Sequence, residues 1–224
     1  MNAAAETAAS PSRGGRPSRE AALQLGAHIL DAATELLLDQ GYGATSIEAV
    51  AARAGVSKRT FYHRFADKPA LVRAVVSRLV DGVRPPAGYT LGVDNDLGAG
   101  LRMLGMQLIG AALSPRILAL HRLIVAESHR FPELLDAAAL SGGRTEVVRL
   151  IIARLQHAVD GLGGAEAEFA AQQFLQLVVS LPQLRALGIG EAMTPEERAR
   201  WVAQSVALLL GGLAGLRTAA APAG

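Results

Sequence analysis

Residues 45–71 read TSIEAVAARAGVSKRTFYHRFADKPAL and contain two helix starts separated by only a few residues. Thr45 and Glu48 have the spacing of a capping box, in which the hydroxyl and the carboxylate each accept a hydrogen bond from a backbone N–H at a helix start. Ser57 is a second N-cap candidate, and Gly55 favours a left-handed turn between the two helices. Two short helices joined by a glycine-containing turn form a helix-turn-helix, so this stretch predicts a DNA-binding motif.

The charges near this stretch are unevenly distributed, although the whole chain has a net charge of only +2. Residues 53–78 contain seven Lys or Arg side chains and one acid, whereas residues 20–48 contain five acids and no Lys or Arg. Lys58 and Lys68, the only lysines of the chain, both lie in the basic segment. Such segregation is typical of a surface that binds a polyanion; the alternative is an ordinary solvated helix face.

The composition predicts an all-α protein with a substantial core. Half of the 224 residues are apolar, only 4% are aromatic, and there is no cysteine. A disulfide framework, a thiolate metal site and a thiol nucleophile are therefore excluded. No window of about 18 consecutive apolar residues predicts a membrane span, and no signal-peptide pattern opens the chain, so we expect a cytoplasmic protein.

Three segments follow from the distribution of proline, glycine and apolar residues. Residues 1–18 are small, polar and rich in proline and glycine, which predicts a disordered tail. Residues 19–84 are expected to form the helix-turn-helix domain, and residues 85–218 a second, helical domain, with the boundary at a Pro-Pro sequence. Three arginines precede or open the first helix: Arg13, Arg16 and Arg19. They belong either to a flexible tail or to an arm that enters a minor groove.

The chain after the basic segment predicts a bundle of helices. One helix, at 68–83 with Asp67 as its predicted N-cap, has apolar residues on two faces and is expected to lie between the two domains. Pro182 lies inside a later helical pattern and should kink that helix, because its ring clashes with the preceding turn and has no N–H to donate. The other expected helices, marked by proline starts and glycine stops, span 94–113, 115–129, 132–140, 144–160, 165–187 and 195–217.

The helices predicted at 165–187 and 195–217 are apolar on more than one face. A single small bundle cannot hide that much apolar surface. We therefore expect a homodimer through these two helices, with Gly211, Gly212 and Gly215 allowing close approach. Burial within one chain is the alternative.

Three consecutive motifs carry a resemblance to a known family. Residues 41–46 match G-Y-x-A-T-S, residues 47–57 match I-x-x-V-A-x-x-A-G-V-S, and residues 58–68 match K-R-T-x-Y-x-x-F-x-x-K. Together they resemble the N-terminal domain of TetR-family transcriptional regulators over roughly residues 20–80, and the remainder resembles the family only weakly. The resemblance implies a dimeric, sequence-specific DNA-binding regulator whose C-terminal domain binds a small-molecule effector and needs no cofactor.

The residues expected to contact DNA lie in and beside the basic segment. Helix N-termini offer unpaired N–H groups and partial positive charge to phosphates, and Lys or Arg can reach guanine while Thr meets a thymine methyl. The resemblance adds a phosphate contact for Lys68 and a backbone contact for Tyr62. The expected set is Thr45, Ser46, Ser57, Lys58, Arg59, Thr60, Tyr62, His63 and Lys68.

The same resemblance implies an effector pocket lined by residues of 94–129 and 165–187. The candidates are Met103, Met106, Gln107, His121, Arg122, Gln172 and Gln176. A methionine stripe is also common as core filler, which is the alternative for the two methionines. No metal site is expected, because His121 and His129 lie two helical turns apart and cannot share one ion.

Three classes of function fit these features to different degrees. The first is a DNA-binding regulator, expected to be a repressor that a ligand releases from a palindromic operator, with activation as the alternative. An α-helical enzyme is not expected, because no nucleophile elbow, phosphate loop, paired-carboxylate site or metal motif appears. A module that binds membrane surfaces would use the basic segment and the apolar helices, and would bind anionic vesicles without preferring any DNA duplex.

Overall fold

The computed structural model describes residues 19–82, 96–140 and 142–219, and all regular structure in these ranges is helical. This confirms the predicted all-α class. The first four helices are α1 (Arg19–Ala44), α2 (Ile47–Arg53), α3 (Lys58–Arg64) and α4 (Lys68–Asp81). They are followed by α5 (Leu97–Ala112), α6 (Pro115–Glu127), α7 (Glu133–Leu140), α8 (Gly143–Ala158), α9 (Gly164–Leu175), α10 (Leu181–Ala186) and α11 (Pro195–Ala219), with a π-helical turn (Gln176–Ser180) between α9 and α10.

The start of the helix-turn-helix differs from the predicted capping box. Ser46, and not Thr45, is the N-cap of α2, since its Oγ accepts a hydrogen bond from Ala49 N at 3.0 Å. Thr45 is buried, and its hydroxyl donates to Gly41 O at 2.7 Å. Gly41 has a φ of 87°, which favours glycine and interrupts α1. The predicted cap is therefore wrong by one residue, because Thr45 closes the turn at Gly41 inside the core.

The next two helix starts confirm the predicted caps. Ser57 Oγ accepts from Thr60 N at 3.1 Å at the start of α3, and Asp67 Oδ1 accepts from Ala70 N at 2.7 Å at the start of α4. Gly55 has a φ of 66°, which is the left-handed conformation predicted for the turn between α2 and α3. Local hydrogen bonds thus fix where α3 and α4 begin.

Two hydrophobic clusters hold the described helices together. One cluster joins α5, α8, α9 and α11, with Leu104 and Phe174 fully buried at its centre. The other joins α1 to α4 with α6 and α7, and Phe61 and Leu134 are fully buried within it. The second cluster therefore ties the helix-turn-helix to two helices that follow the predicted domain boundary. The boundary itself lies outside the described residues.

Helix α4 is enclosed on more than one side, as its two apolar faces predicted. It packs against α1, α6 and α7. Tyr42 and Phe61 are buried in the same cluster and Phe65 packs against it, so these aromatics belong mainly to the core. The buried side chains of α4 are Leu71, Val72, Val75, Val76 and Leu79.

The predicted helix 165–187 is divided in the structure. The π-helical turn separates α9 from α10, and Pro182 lies in the first turn of α10, where its missing N–H costs little. The predicted kink is therefore accommodated by a change of helix type just before the proline. A true capping box starts α11: Thr194 Oγ1 accepts from Glu197 N at 3.2 Å, and Glu197 Oε2 accepts from Thr194 N at 2.8 Å.

None of the described helices is long and apolar enough by itself to cross a membrane. Helices α5 and α6 reach that length and apolarity only as a pair, and the pair is bent by 64° at its junction.

Candidate nucleic-acid interface and internal cavity

Helix α3 has a buried side and a solvent-facing side. Phe61 is fully buried, and its ring centroid lies 5.6 Å from that of Phe65. Tyr62, one residue later, is 51% exposed and meets the Phe61 ring edge-on at 5.7 Å. The predicted contact residues Lys58, Arg59 and His63 are also exposed. Packing of the phenylalanines therefore presents cationic, imidazole and phenol groups on one short helix.

Lys58 already has an anionic partner on α2. Its Nζ lies 2.8 Å from Glu48 Oε1, and both side chains are largely exposed. The hydrogen bond between them lowers the pKa of Glu48 and raises the pKa of Lys58. An exposed pair of this kind contributes little to folding, so a phosphate can replace the carboxylate at small cost. The pair holds Lys58 at the junction of α2 and α3.

The predicted contact residues at the helix starts fall into two groups. Ser46 and Ser57 are exposed, although their hydroxyl oxygens already accept from backbone N–H groups. Thr60 is partly buried, and its hydroxyl lies 2.8 Å from Ser57 Oγ. Thr45 is buried and is satisfied by the Gly41 carbonyl. Its side chain therefore does not face solvent, in contrast to the expectation from sequence.

Lys68 belongs to a cluster that joins α1, α4, α6 and α7. Its Nζ donates to Tyr42 O and lies 4.1 Å from the centre of the Tyr42 ring. The Tyr42 hydroxyl donates to Glu133 Oε1 at 2.7 Å. Glu127 accepts from two backbone N–H groups, those of Tyr42 at 2.9 Å and of Gly43 at 2.7 Å. The carboxylate of Glu127 thus binds the turn that follows Gly41.

Burial shifts the pKa of two members of this cluster. It lowers the pKa of Lys68, and the negative charges of Glu127 and Glu133 oppose that effect. Burial, together with the hydrogen bond to Glu133, raises the pKa of Tyr42 well above its ordinary value. Sequence reasoning missed Glu127 and Glu133, because both lie more than 80 residues from Tyr42 along the chain and no local pattern marks them.

A cavity of about 460 Å³ lies among α4, α5, α6, α8 and the π-helical turn. Its volume is in the range of small-molecule sites in proteins. Most of its wall consists of aliphatic side chains, with a few polar groups on α8, the π-helical turn and α10. The lining residues are Val80, Leu108, Ala111, Ala112, Ile117, Gly143, Arg144, Val147, Leu175, Gln176, Val179, Ser180 and Gln183.

Comparisons with known proteins identify the family. Residues 29–75 match the bacterial regulatory proteins of the tetR family, and residues 99–212 match the C-terminal domain of AefR-like transcriptional repressors. Together these matches cover most of the chain. The chain belongs to the TetR family. It is therefore a DNA-binding transcriptional regulator of that family.

Individual relatives agree with this assignment. The flavonoid-responsive regulator FrrA has a TM-score of 0.69 at 28% identity, and the match covers 84% of this chain and 96% of that one. A TetR-family transcriptional regulator from Mesorhizobium loti has a TM-score of 0.66 at 26% identity, covering 85% and 96%. The transcriptional activator FasR of Mycolicibacterium smegmatis is 44% identical over 55 residues, which is only 25% of either chain.

The residues that the TetR resemblance implied for the effector pocket are mostly elsewhere. Of the seven, only Gln176 lines the 460 Å³ cavity. Arg122 lies beside a smaller cavity, and its guanidinium is 3.4 Å from Ala186 O. The remaining candidates do not line either of these cavities, and most of them are exposed: Met103, Met106, Gln107, His121 and Gln172. Helical spacing could not show which face of α5 or α9 turns inward, so the effector role of the residues outside this cavity stays a prediction.

The last long helices keep an exposed apolar face. Phe169 on α9 is 51% exposed and Leu208 on α11 is 66% exposed. Gly211, Gly212 and Gly215 are exposed on α11 as well, and a Cβ built on any of them would meet nothing within 4 Å. The described part of α11 thus combines small residues with an uncovered leucine on one side.

Among the described residues, no group of three or more His, Asp or Glu side chains could hold a metal ion.

Proposed function

We propose that this TetR-family protein is a homodimeric repressor, active in the cytoplasm, that binds a palindromic operator and is released from it by a small molecule. The observation that carries the proposal is the exposed side of α3. Lys58, Arg59, Tyr62 and His63 project from a helix whose other side is fixed by Phe61. The match of residues 99–212 to a repressor C-terminal domain favours repression over activation.

The DNA contacts proposed for α3 and for Lys68, at the start of α4, are of two chemical kinds. Arg59 is exposed and has the donor geometry to bind guanine in the major groove. Tyr62 and Lys68 are assigned to the phosphate backbone, where contacts fix the docking position without reading sequence. Lys68 must leave the Tyr42 carbonyl, or share its N–H groups with it, to reach a phosphate. Its three donors allow the second arrangement.

The second copy of the protein is proposed to bind through α9 and α11. Their exposed apolar faces include Phe169 and Leu208, and the glycines of α11 permit close approach of two helices. A dimer with two-fold symmetry would place two α3 helices in successive major grooves about 34–36 Å apart. The operator is therefore expected to contain two inverted half-sites.

Two helices connect the proposed effector cavity to the DNA-binding part. Val80 near the end of α4 and Ile117 at the start of α6 line the cavity. The opposite end of α4 carries Lys68, and the opposite end of α6 carries Glu127, which binds the turn after Gly41. The sequence predicted only the first of these connections. A ligand that prefers one arrangement of these helices changes DNA affinity by the ratio of its affinities for the two arrangements.

Selection of duplexes from a random pool by the purified protein tests this function. We expect enrichment of a palindromic site, and Arg59→Ala should relax the preference at one or two positions of each half-site because a base contact is lost. Binding to anionic vesicles with no enrichment of any duplex would contradict the proposal and favour a membrane-surface module.

A further inference from the structure

The 460 Å³ cavity has one charged side chain in its described wall. Arg144 is a cation, and none of the described lining residues is an acid. The aliphatic part of the wall comes from six elements and includes Val80, Leu108, Ile117 and Val147. An apolar ligand body would be covered by these side chains, while a cationic group would be repelled by the charge of Arg144 and would meet no carboxylate among the described lining residues.

Arg144 lacks an ion-pair or hydrogen-bond partner among the described residues. It is the second residue of α8, and it is exposed on the solvent side of the cavity. The N-cap of that helix is Gly142, whose φ is 72° and which offers no side-chain oxygen. A guanidinium with five N–H donors therefore borders the cavity with no carboxylate assigned to it.

One amide of the wall also favours an acceptor on the ligand. Gln176 Oε1 already accepts from the Ser180 hydroxyl at 2.5 Å, which leaves its NH₂ group as the free part of the side chain. Gln183 Nε2 lies 3.5 Å from Ala112 O, at the limit of a hydrogen bond, so this second amide can offer both an N–H and its oxygen. Gln176 lies in the π-helical turn and Gln183 in α10, whereas the cation lies on α8.

We propose that the cavity binds an amphiphilic carboxylate. The apolar body lies among the aliphatic side chains, and the carboxylate binds the Arg144 guanidinium, whose fork of donors matches two carboxylate oxygens. This proposal rests on the proposed function, because it names the chemical class of the effector. It goes beyond that function in assigning the recognition of the head group to one residue.

The only tryptophan of the chain reports on this cavity. Trp201 Nε1 donates to Leu177 O at 2.7 Å, and Leu177 follows Gln176 of the cavity wall in the π-helical turn. A ligand that shifts this turn changes the environment of the indole. Titration of the full-length protein can therefore be followed by tryptophan fluorescence and checked by calorimetry.

Three probes with the same ten-carbon chain separate charge from apolarity: decanoate, 1-decanol and decyltrimethylammonium, each below its aggregation concentration. We expect decanoate to bind about tenfold more tightly than decanol, as one charge-assisted hydrogen bond implies, and the ammonium compound to bind most weakly. Equal affinity for the three, preference for the cation, or no binding of decanoate would overturn the proposal.

Arg144→Gln and Arg149→Gln form a matched pair. Both change an exposed arginine of α8, but Arg149 does not line the cavity. Arg144→Gln should weaken decanoate binding about tenfold and leave decanol binding unchanged, whereas Arg149→Gln should change neither. Loss of both ligands in Arg144→Gln would indicate misfolding, so the protein's circular dichroism and its affinity for the selected duplex are measured in parallel. Unchanged decanoate binding in a folded Arg144→Gln protein would refute the role of this arginine.

The two proposals can fail separately. If no carboxylate binds but a palindromic duplex is still selected, the ligand class is wrong and the DNA-binding function stands. If decanoate binds through Arg144 but no duplex is enriched, the ligand class stands and the proposed function is wrong.

Discussion

The helix-turn-helix and the cavity are built in different ways. Positions 45 to 68 form their helices through contacts between residues three or four apart, such as Ser57 with Thr60 and Asp67 with Ala70. The cavity wall combines residues from position 80 to position 183, and most of its elements are far apart along the chain. A DNA-facing surface made locally can keep its chemistry while the rest of the chain varies. A cavity made from distant helices can change ligand with small shifts in packing.

The largest expected effect is the loss of DNA binding when the DNA-facing surface is changed. Tyr62→Ala combined with Lys68→Ala should abolish specific DNA binding, because each protomer loses two proposed contacts with the DNA phosphate backbone. Neither side chain caps a helix, so circular dichroism should remain helical. Gel-shift titration of the selected duplex measures the loss, with Arg149→Ala as a control for an exposed cation outside the interface. Retained nanomolar binding in the double variant would show that the protein docks in another way.

The next effect concerns the contact that α6 makes with the turn before the helix-turn-helix. Glu127→Ala removes the acceptor of two backbone N–H groups at the turn after Gly41, and each loss leaves a polar group poorly paired. We expect the free energy of unfolding to fall by about 1–3 kcal/mol. Urea unfolding measures this change. Glu168→Ala, which removes an exposed carboxylate bonded only to Gln172, should stay within about 0.5 kcal/mol of the parent.

A single substitution tests whether Lys68 contacts a DNA phosphate. Lys68→Ala should reduce the slope of log binding constant against log salt by roughly 2 per dimer, since each phosphate contact contributes about 0.9. The slope is measured on the selected duplex over a series of salt concentrations. An unchanged slope would mean that Lys68 stays bound to the Tyr42 carbonyl and serves only the internal cluster.

The smallest expected effect tests the pair between α2 and α3. Glu48→Gln removes the negative charge held 2.8 Å from Lys58. Lys58 is then free for phosphate without displacing a carboxylate, so DNA affinity should rise a few-fold, as expected for an exposed ion pair worth about 0.2–1 kcal/mol. The rise should appear on selected and unrelated duplexes alike. A fall in affinity would show that Glu48 positions Lys58 for DNA instead of competing with it.

The difference between the regions also explains what the sequence could predict. The caps at Ser57 and Asp67 and the left-handed Gly55 were predicted, because each depends on a few neighbouring residues. The capping box at Thr45 was wrong although Thr194 forms one with the same spacing. Tertiary packing draws Thr45 into the core, and nothing near it in the sequence records that.

The cavity was not predicted, again because tertiary packing decides where it forms. Amphipathic periodicity indicates that a helix has an apolar face, but it does not say whether that face meets a core, a cavity or a second subunit. The methionines of α5 were therefore assigned to a pocket and are exposed, while Arg144 was overlooked because a single arginine at a helix start has no distinctive pattern. The contact of Glu127 with the turn after Gly41 needed the fold as well.

The most direct test of the central claim is a change in the spacing of the selected operator. Two α3 helices held by a rigid dimer require half-sites on the same face of the duplex, one helical turn apart. Inserting about five base pairs, roughly half a turn, between the half-sites should reduce binding to the level of an unrelated duplex. Unchanged affinity after that insertion would contradict a dimer that reads DNA through paired α3 helices.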